Sequence, residues 1–347
     1  MSRSDVQKNA AGRKWRFMKV AIIGAGLAGV SLAWHLRVSG CDVTLFDHNG
    51  IAGGASGIAP GLMHPYPGEQ GLRSFLATEG MAATKELLAV AQSFSQEPLC
   101  ADPGILRFIN DDQREQFLAH EKKHHDVEFH RDDLVFIRSG MTVFSERYVR
   151  SLWKAAEQLG ARLERKKIED LQQLHDCDHI VIAAGSGIHH FPEAKDLKVS
   201  FLKGQILTCA IPDNCNLPTE AIIGKGYIAH AEDPKYCYVG STYERGVTCS
   251  MPNRDVAVAQ ILPKIAQFYP EIHSFPVVDC RAAFRVMRTG HYYPMAGRLK
   301  DSIWVCTAMG SRGLLYHALL ARLMTEALLH DDASRIPLAF DLKVLKN

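Results

Sequence analysis

The stretch KVAIIGAGLAGVSLAWHLRVSGCDVTLFD, residues 19–47, restricts the fold more than any other part of the chain. A β-branched run from Lys19 to Ile23 meets the turn Gly24-Ala25-Gly26-Leu27-Ala28-Gly29. Apolar spacing at Ala33 and Leu36 predicts a helix, Gly40 a second turn, and DVTLF a second strand. Gly24 is expected to permit the tight turn, Gly26 to let the backbone approach a pyrophosphate, and Gly29 to let helix and strand pack closely. The N–H groups and dipole of the helix N-terminus, at Leu27 and Ala28, suit the same anion. Asp47, with His48 beside it, ends the second strand, where a carboxylate accepts both hydrogen bonds of an adenosine ribose and disfavours a phosphate on that sugar. The motif predicts a dinucleotide without separating NAD from FAD, since both carry the same ADP half.

Beyond Asp47, residues 50–67 are too rich in glycine and proline for a helix or strand. They form a loop able to lay backbone amides along a ligand. Helical spacing follows over 72–94, then a strand in GILRFI and a polar helix over 111–125. HEKKHHDVEFHRDD, residues 120–133, has a metal-like look, but its interleaved lysines repel a cation, so it reads as a solvated face and no metal is expected. An amphipathic helix over 145–160 leads to the strand segments ARLER and DHIVIAAGSG. The small residues Ala184 and Gly185 at the end of the latter suit a backbone running against a ligand. From Lys203 to Tyr243 short strands succeed one another in the manner of an antiparallel sheet. A helix over 256–268, the segment DCRAAFRVM, and a strand, glycine turn and long helix from Ser302 close the pattern. The order predicts an α/β protein with a discontinuous nucleotide-binding domain (18–75, 140–200 and 277–347), an inserted substrate domain (76–139 and 201–276), and a disordered extension at 1–17.

The 347 residues, 47% of them hydrophobic, suffice for two modest cores. A net charge of +2 gives no strong field toward nucleic acid or anionic membrane. ARLERKK, residues 161–167, is the best candidate basic patch, and a solvated strand end explains it about as well. Nine cysteines without a C-x-x-C pair suit packed small hydrophobes in a reducing compartment. The polar opening lacks a signal-peptide core, and no run reaches membrane-span length, so a cytoplasmic protein without membrane partners is expected.

Five motifs in order, the first glycine turn, GGASGIAPGLMHPY, VIAAGSG, GSTYERG and RTGHYYPMAGR with AMGSRGLL after it, resemble the D-amino-acid-oxidase-type FAD oxidoreductases. The similarity runs from about Lys19 to about Leu329. Within that family it is strongest to the FAD domains of bifunctional enzymes that modify wobble uridine in tRNA. The resemblance implies the glutathione-reductase-like fold and non-covalent FAD rather than NAD. It implies that Gly24, Gly26, Gly29 and Asp47 hold the ADP half, and that Ala55, Ser56 and Gly57 lie along the pyrophosphate and flavin. Gly310, Ser311, Arg312, Gly313 and Leu314 then face the pyrimidine end of the flavin ring.

It also implies oxidation of a C–N bond in a secondary amine or amino acid, followed by imine hydrolysis. Arg285 matches the family's carboxylate-binding arginine, although an apparent extra residue before Pro294 puts Arg288 in competition. Tyr243, Arg245, His64, Tyr292 and Tyr293 suit the substrate side and equally suit an ordinary domain seam; Lys203 and Gln205 are weaker candidates. The implied substrate is the carboxymethylaminomethyl group of a tRNA uridine, with tRNA as partner. Two alternatives stay open: a free amino-acid oxidase or dehydrogenase acting on glycine, sarcosine or a D-amino acid, and a non-catalytic flavin-binding module.

Overall fold

The computed structural model describes residues 18–58 and 60–343; the extension expected at 1–17 lies outside them. The first strand, β1 (Lys19–Ile23), is buried from Val20 to Ile23. A short apolar run of this kind needs cover on both faces, as parallel sheets provide. It pairs in parallel with β2 (Asp42–Phe46) on one side and β10 (His179–Ile182) on the other. β17 (Ile303–Thr307) continues the parallel order beyond β10, with β16 (Met295–Lys300) antiparallel at that edge and β9 (Arg162–Glu164) parallel at the opposite edge. The resulting six-stranded order is β16-β17-β10-β1-β2-β9.

One face of this sheet carries a helical layer. α1 (Leu27–Val38) packs on α4 (Ser145–Gln158) and α6 (Gly313–Leu329), and α2 (Ala77–Gln92) packs on the same two helices. Leu36, Leu45, Tyr148, Trp304 and Leu320 share this core, each exposed by 1% or less, so the layer is dry. Ile182, Ile188, Phe191 and Val305 form the smaller core on the other face.

The second sheet has eight strands: β15 (Val277–Arg288), β11 (Val199–Ala210), β14 (Tyr236–Gly240), β13 (Tyr227–His230), β12 (Ala221–Ile223), β5 (Ile105–Phe108), β7 (Leu134–Ile137) and β6 (Val127–Arg131), in that spatial order. All neighbours are antiparallel except β12 and β5. α5 (Arg254–Ile265) covers one face through Ile261 and Ile265 against Leu207 and Val239. α3 (Asp111–His124) begins with a reciprocal capping box between Asn110 and Gln113. A small sheet of β3 (Leu62–Met63), β8 (Met141–Val143) and β4 (Cys100–Ala101) completes the fold.

The helices expected over 72–94, 111–125, 145–160 and 256–268 all form, with trimmed ends. AIIGKGYIAHA is a hairpin rather than one strand, because Gly224 N–H bonds Gly226 C=O and folds β12 back onto β13. The solvated face expected at 120–133 holds for Lys122, Lys123, His125, Glu128 and residues 130–133, all exposed, but not for His120, which is 5% exposed with its ring centre 4.4 Å from that of Tyr66; residues 127–131 form β6. β15 pairs with β11 from Val277 to Arg288, so strand pairing draws residues 277–288 into the eight-stranded sheet rather than the nucleotide-binding one. Among the described residues no helix is long and apolar enough to cross a membrane.

Candidate active site

The turn after β1 is built on close backbone approach. Gly24 has φ +111°, and a Cβ there would stand 2.3 Å from the Ala183 carbonyl oxygen at the end of β10. A Cβ on Gly29 would meet the Gly24 oxygen at 1.9 Å, so the first turn of α1 leans directly on the glycine turn. At Gly26 the obstacle is Ser56 Oγ, 2.8 Å away. That oxygen accepts a hydrogen bond from Leu27 N–H at 3.0 Å, laying the Ala55–Gly57 turn across the helix N-terminus. α1 has no acidic residue in its first turn and no capping side chain from Gly26 itself, which leaves its positive end suited to an anion.

Asp47 bridges this region. Its Oδ2 accepts from Ala25 N–H at 2.9 Å, and its Oδ1 from Asn49 N–H at 2.8 Å and Gly50 N–H at 3.2 Å. His48 is exposed beside it, and Ala28 is half-buried on α1. Ala184 is half-buried at the start of a short 3-10 turn, followed by exposed Gly185 at φ +53° with open space where a Cβ would stand. Three glycines whose side-chain space is taken by neighbouring atoms, beside a helix end that carries no acidic residue in its first turn and no side chain at its own N-cap, fit the phosphate-bearing half of FAD.

The C-terminal glycine turn comes back to the first from the far end of the chain: a Cβ on Gly313 would stand 3.6 Å from Leu27 Cδ1. Gly310, at φ +54°, donates its N–H to Val286 C=O at 2.9 Å, tying the turn to β15. Ser311 is exposed, and Gly313 opens α6. Buried Leu314 accepts from Thr84 Oγ1 at 2.7 Å, which fixes α6 to α2. Arg312 donates to Pro67 C=O at 3.3 Å and lies 4.7 Å from the Tyr292 ring centre. Burial lowers its pKa below the ordinary guanidinium value.

Arg107, on β5, was not anticipated from the sequence. It is 4% exposed and donates to Tyr66 C=O at 2.5 Å and Gly68 C=O at 2.7 Å, while its Nε makes no hydrogen bond. Arg107 and Arg312 thus grip successive carbonyls of the Tyr66-Pro67-Gly68 turn. Burial, reinforced by these two cations, pushes the pKa of His64 down to about 3. Its Nδ1 accepts from Tyr66 N–H at 3.3 Å, so His64 is a neutral, 7% exposed wall residue.

Arg285 lies on β15, opposite Leu202 of β11. It donates to Ser241 Oγ at 2.9 Å and Thr242 C=O at 3.5 Å, and it stacks 5.0 Å from the Tyr243 ring centre. A Cβ on Gly204 would sit 2.6 Å from its guanidinium. Among the described residues it has no carboxylate partner. Beside it the Tyr227 hydroxyl is buried, makes no hydrogen bond, and fits against Gly240, where a Cβ would stand 2.3 Å away. Desolvation holds this phenol protonated. Arg288 is spent elsewhere, donating to Ala339 C=O at 3.1 Å and Lys343 C=O at 2.7 Å.

Strand alternation puts Lys203 and Gln205 on the opposite face of the sheet from Gly204 and Arg285. Arg245 is exposed, and Tyr293 packs 5.8 Å from Phe75. Arg107 carries the signal of one charged residue inside an otherwise apolar strand, ILRF, whereas Tyr227 shares its strand, YIAH, with the polar His230.

A family model described as FAD dependent oxidoreductase matches residues 19–327. A curated relative, the tRNA 5-methylaminomethyl-2-thiouridine biosynthesis bifunctional protein MnmC of Maricaulis maris, is 31% identical over 316 residues, covering 87% of this chain and 50% of that protein. The protein of the same name from Marinobacter nauticus is 25% identical, covering 90% and 56%. The chain therefore spans about half the length of the curated relatives it matches. The fold is that of the glycine oxidase from Geobacillus kaustophilus, with a TM-score of 0.78 at 18% identity over 95% of this chain and 100% of that one. The iminodiacetate oxidase of Chelativorans sp. BNC1 gives 0.75 at 19% identity, covering 94% and 100%.

Proposed function

Because this chain belongs to the FAD dependent oxidoreductase family, we propose that it oxidises the C–N bond of an amine carrying a carboxylate arm, and that Arg285 and Tyr227 bind that carboxylate. One observation carries the reading. A half-buried guanidinium without an acidic partner stands beside a buried, unbonded phenol, over the space left open by Gly204. Buried polar groups are nearly always satisfied and buried charges paired, so an unbonded phenol beside a cation that lacks an acidic partner among the described residues marks where a carboxylate completes the set.

Non-covalent FAD, when bound, supplies the two-electron acceptor for this chemistry. The chain's own residues supply orientation. Ser241 Oγ and Thr242 C=O aim the Arg285 guanidinium, and Tyr243 covers one of its faces. The amine must be neutral to give up electrons, and no obligatory acid or base is required of the protein. His64, uncharged above pH 4 and buried, shapes the wall without adding a cation. Arg312 and Arg107 place two positive charges without acidic partners beside it, an environment that favours negative charge nearby.

The substrate we assign is the carboxymethylaminomethyl group of a modified tRNA uridine: oxidation of its C–N bond gives an imine, whose hydrolysis releases the carboxymethyl arm as a two-carbon oxo acid and leaves the nitrogen on the nucleoside as a primary amine. The activity named for the MnmC relatives supports this assignment. The test is anaerobic mixing of the yellow protein with glycine, sarcosine, a D-amino acid and undermodified tRNA, following flavin absorbance near 450 nm. Bleaching by the tRNA is expected. Bleaching by free amino acids alone moves the substrate to small molecules, and bleaching by none removes the proposal. Arg285→Ala should raise KM about a hundredfold with a smaller change in kcat, since a charge-assisted pair made in both ground and transition states is lost.

A further inference from the structure

Tyr243 and Tyr292 are each 60% exposed. Each rests one ring face on a cation, Arg285 at 5.0 Å and Arg312 at 4.7 Å. Gly310, two residues before Arg312, donates its N–H to the C=O of Val286, next to Arg285, so backbone pairing brings the two stacks to neighbouring positions. Exposed tyrosines ordinarily pivot freely, yet the backbone carrying Tyr243 is bolted from behind.

Gln205 is 0% exposed and donates its Nε2 to Glu244 at 2.8 Å, while its Oε1 accepts from Asn253 N–H at 2.6 Å. Thr242 Oγ1 accepts from Gln205 N–H at 2.9 Å and donates to Glu244 at 2.6 Å. One buried glutamine therefore grips both ends of the segment 244–253 from the face of the sheet away from Arg285. What it fixes on the near face is the Tyr243 ring.

A phenol ring with one face on a guanidinium and the other in solvent is a platform for a planar group, because the cation–π contact orients it before anything binds. A small amino acid held at Arg285 has nothing to lay on such a ring. We infer that Tyr243 and Tyr292 form a stacking subsite for an aromatic or heteroaromatic ring borne by the amine. The inference rests on the placement of the carboxylate at Arg285 proposed above.

The experiment titrates the FAD-loaded protein with three thioether carboxylates that resist oxidation: (methylthio)acetate, (benzylthio)acetate, and uridine carrying a carboxymethylthiomethyl group at C5. The Kd of each is read from the change in the flavin spectrum. At least one ring-bearing ligand is expected to bind about tenfold tighter than (methylthio)acetate. That ratio should collapse in Tyr292→Ala and Tyr243→Ala and survive in the two Phe variants. A stronger preference for the uridine marks a nucleobase as the ring, and one for the benzyl group marks a free aromatic amine. Equal affinities, absence of binding, or a ratio indifferent to both Ala substitutions overturns the subsite. Failure of the underlying reading looks different: Arg285→Ala then leaves (methylthio)acetate affinity where it was, whatever the ratio does.

Discussion

At the Gly24–Asp47 turn the chain has bonded its polar groups to itself: both Asp47 oxygens, Leu27 N–H and Ser56 Oγ are occupied. At the Arg285 end the reverse holds. The buried Tyr227 hydroxyl makes no hydrogen bond, and half-buried Arg285 has no acidic partner among the described residues. Unsatisfied buried polar groups each cost about 1–3 kcal/mol, so the second region gives up stability that the first retains. The first is a scaffold that exists without a ligand. The second is poised for one, which is the usual relation between a structural motif and a functional site.

The largest expected effect breaks the scaffold side. Gly26→Val places side-chain atoms where Ser56 Oγ stands 2.8 Å from an ideal Cβ, and FAD affinity should fall about a hundredfold or more, as a steric barrier to close backbone approach implies. Equilibrium dialysis with the ratio of absorbance at 280 and 450 nm measures it, and full stoichiometric flavin in the variant would misplace the phosphate cradle.

Acidification compares two buried histidines, His64 at the ligand-facing end and His317 within α6. Burial lowers His64 to about 3 and His317 to about 4 from a usual 6.5. The unfolded chain therefore binds more protons than the native one between these values. The stability these neutral rings contribute is fully present above pH 6.5 and is lost as pH falls through that window. At pH 5 the loss is about 2 kcal/mol per histidine. Urea unfolding at pH 7 and pH 5 reads the total, and His64→Gln should flatten the slope by about a third at most, because burial lowers His35 to about 4 as well. A slope untouched by that variant would remove His64 from the account.

The smallest effect sharpens the contrast most. Tyr227→Phe should lower kcat/KM about tenfold for a carboxylated amine, the value of one lost neutral hydrogen bond to a charge. It should not lower the melting temperature, because the deleted hydroxyl has no protein partner. A drop in melting temperature with intact kinetics would make the hydroxyl structural.

This contrast also explains what the sequence revealed. The βαβ unit was legible because its determinants, three glycines and an acid, fall within residues 24–47, and local geometry forces their roles. Helices α3 and α4 were legible from their helical spacing, polar in one and amphipathic in the other. β6 and β16 were not: VEFHR lies in a run of histidines and charges, and MAGRLK has a glycine and two cations, so each holds its place by pairing with a neighbour rather than by its own pattern. Arg285 was reached by resemblance. Tyr227 and Arg107 were missed because their isolation comes from strand neighbours distant in the chain, which no window of sequence displays. The role given to Gly26 gains a detail, since the atom nearest its missing side chain is Ser56 Oγ.

The order β17-β10-β1 has a consequence for biosynthesis. β17 is made roughly 280 residues after β1, which at 5–20 residues per second is about 15–60 s of translation. For the last roughly 120 residues of that interval, once β10 has been made, β10 presents a bare hydrogen-bonding edge, and α6 has not yet been synthesised. The glycine turn before α6 is therefore missing from the proposed cofactor site until that late segment has been made.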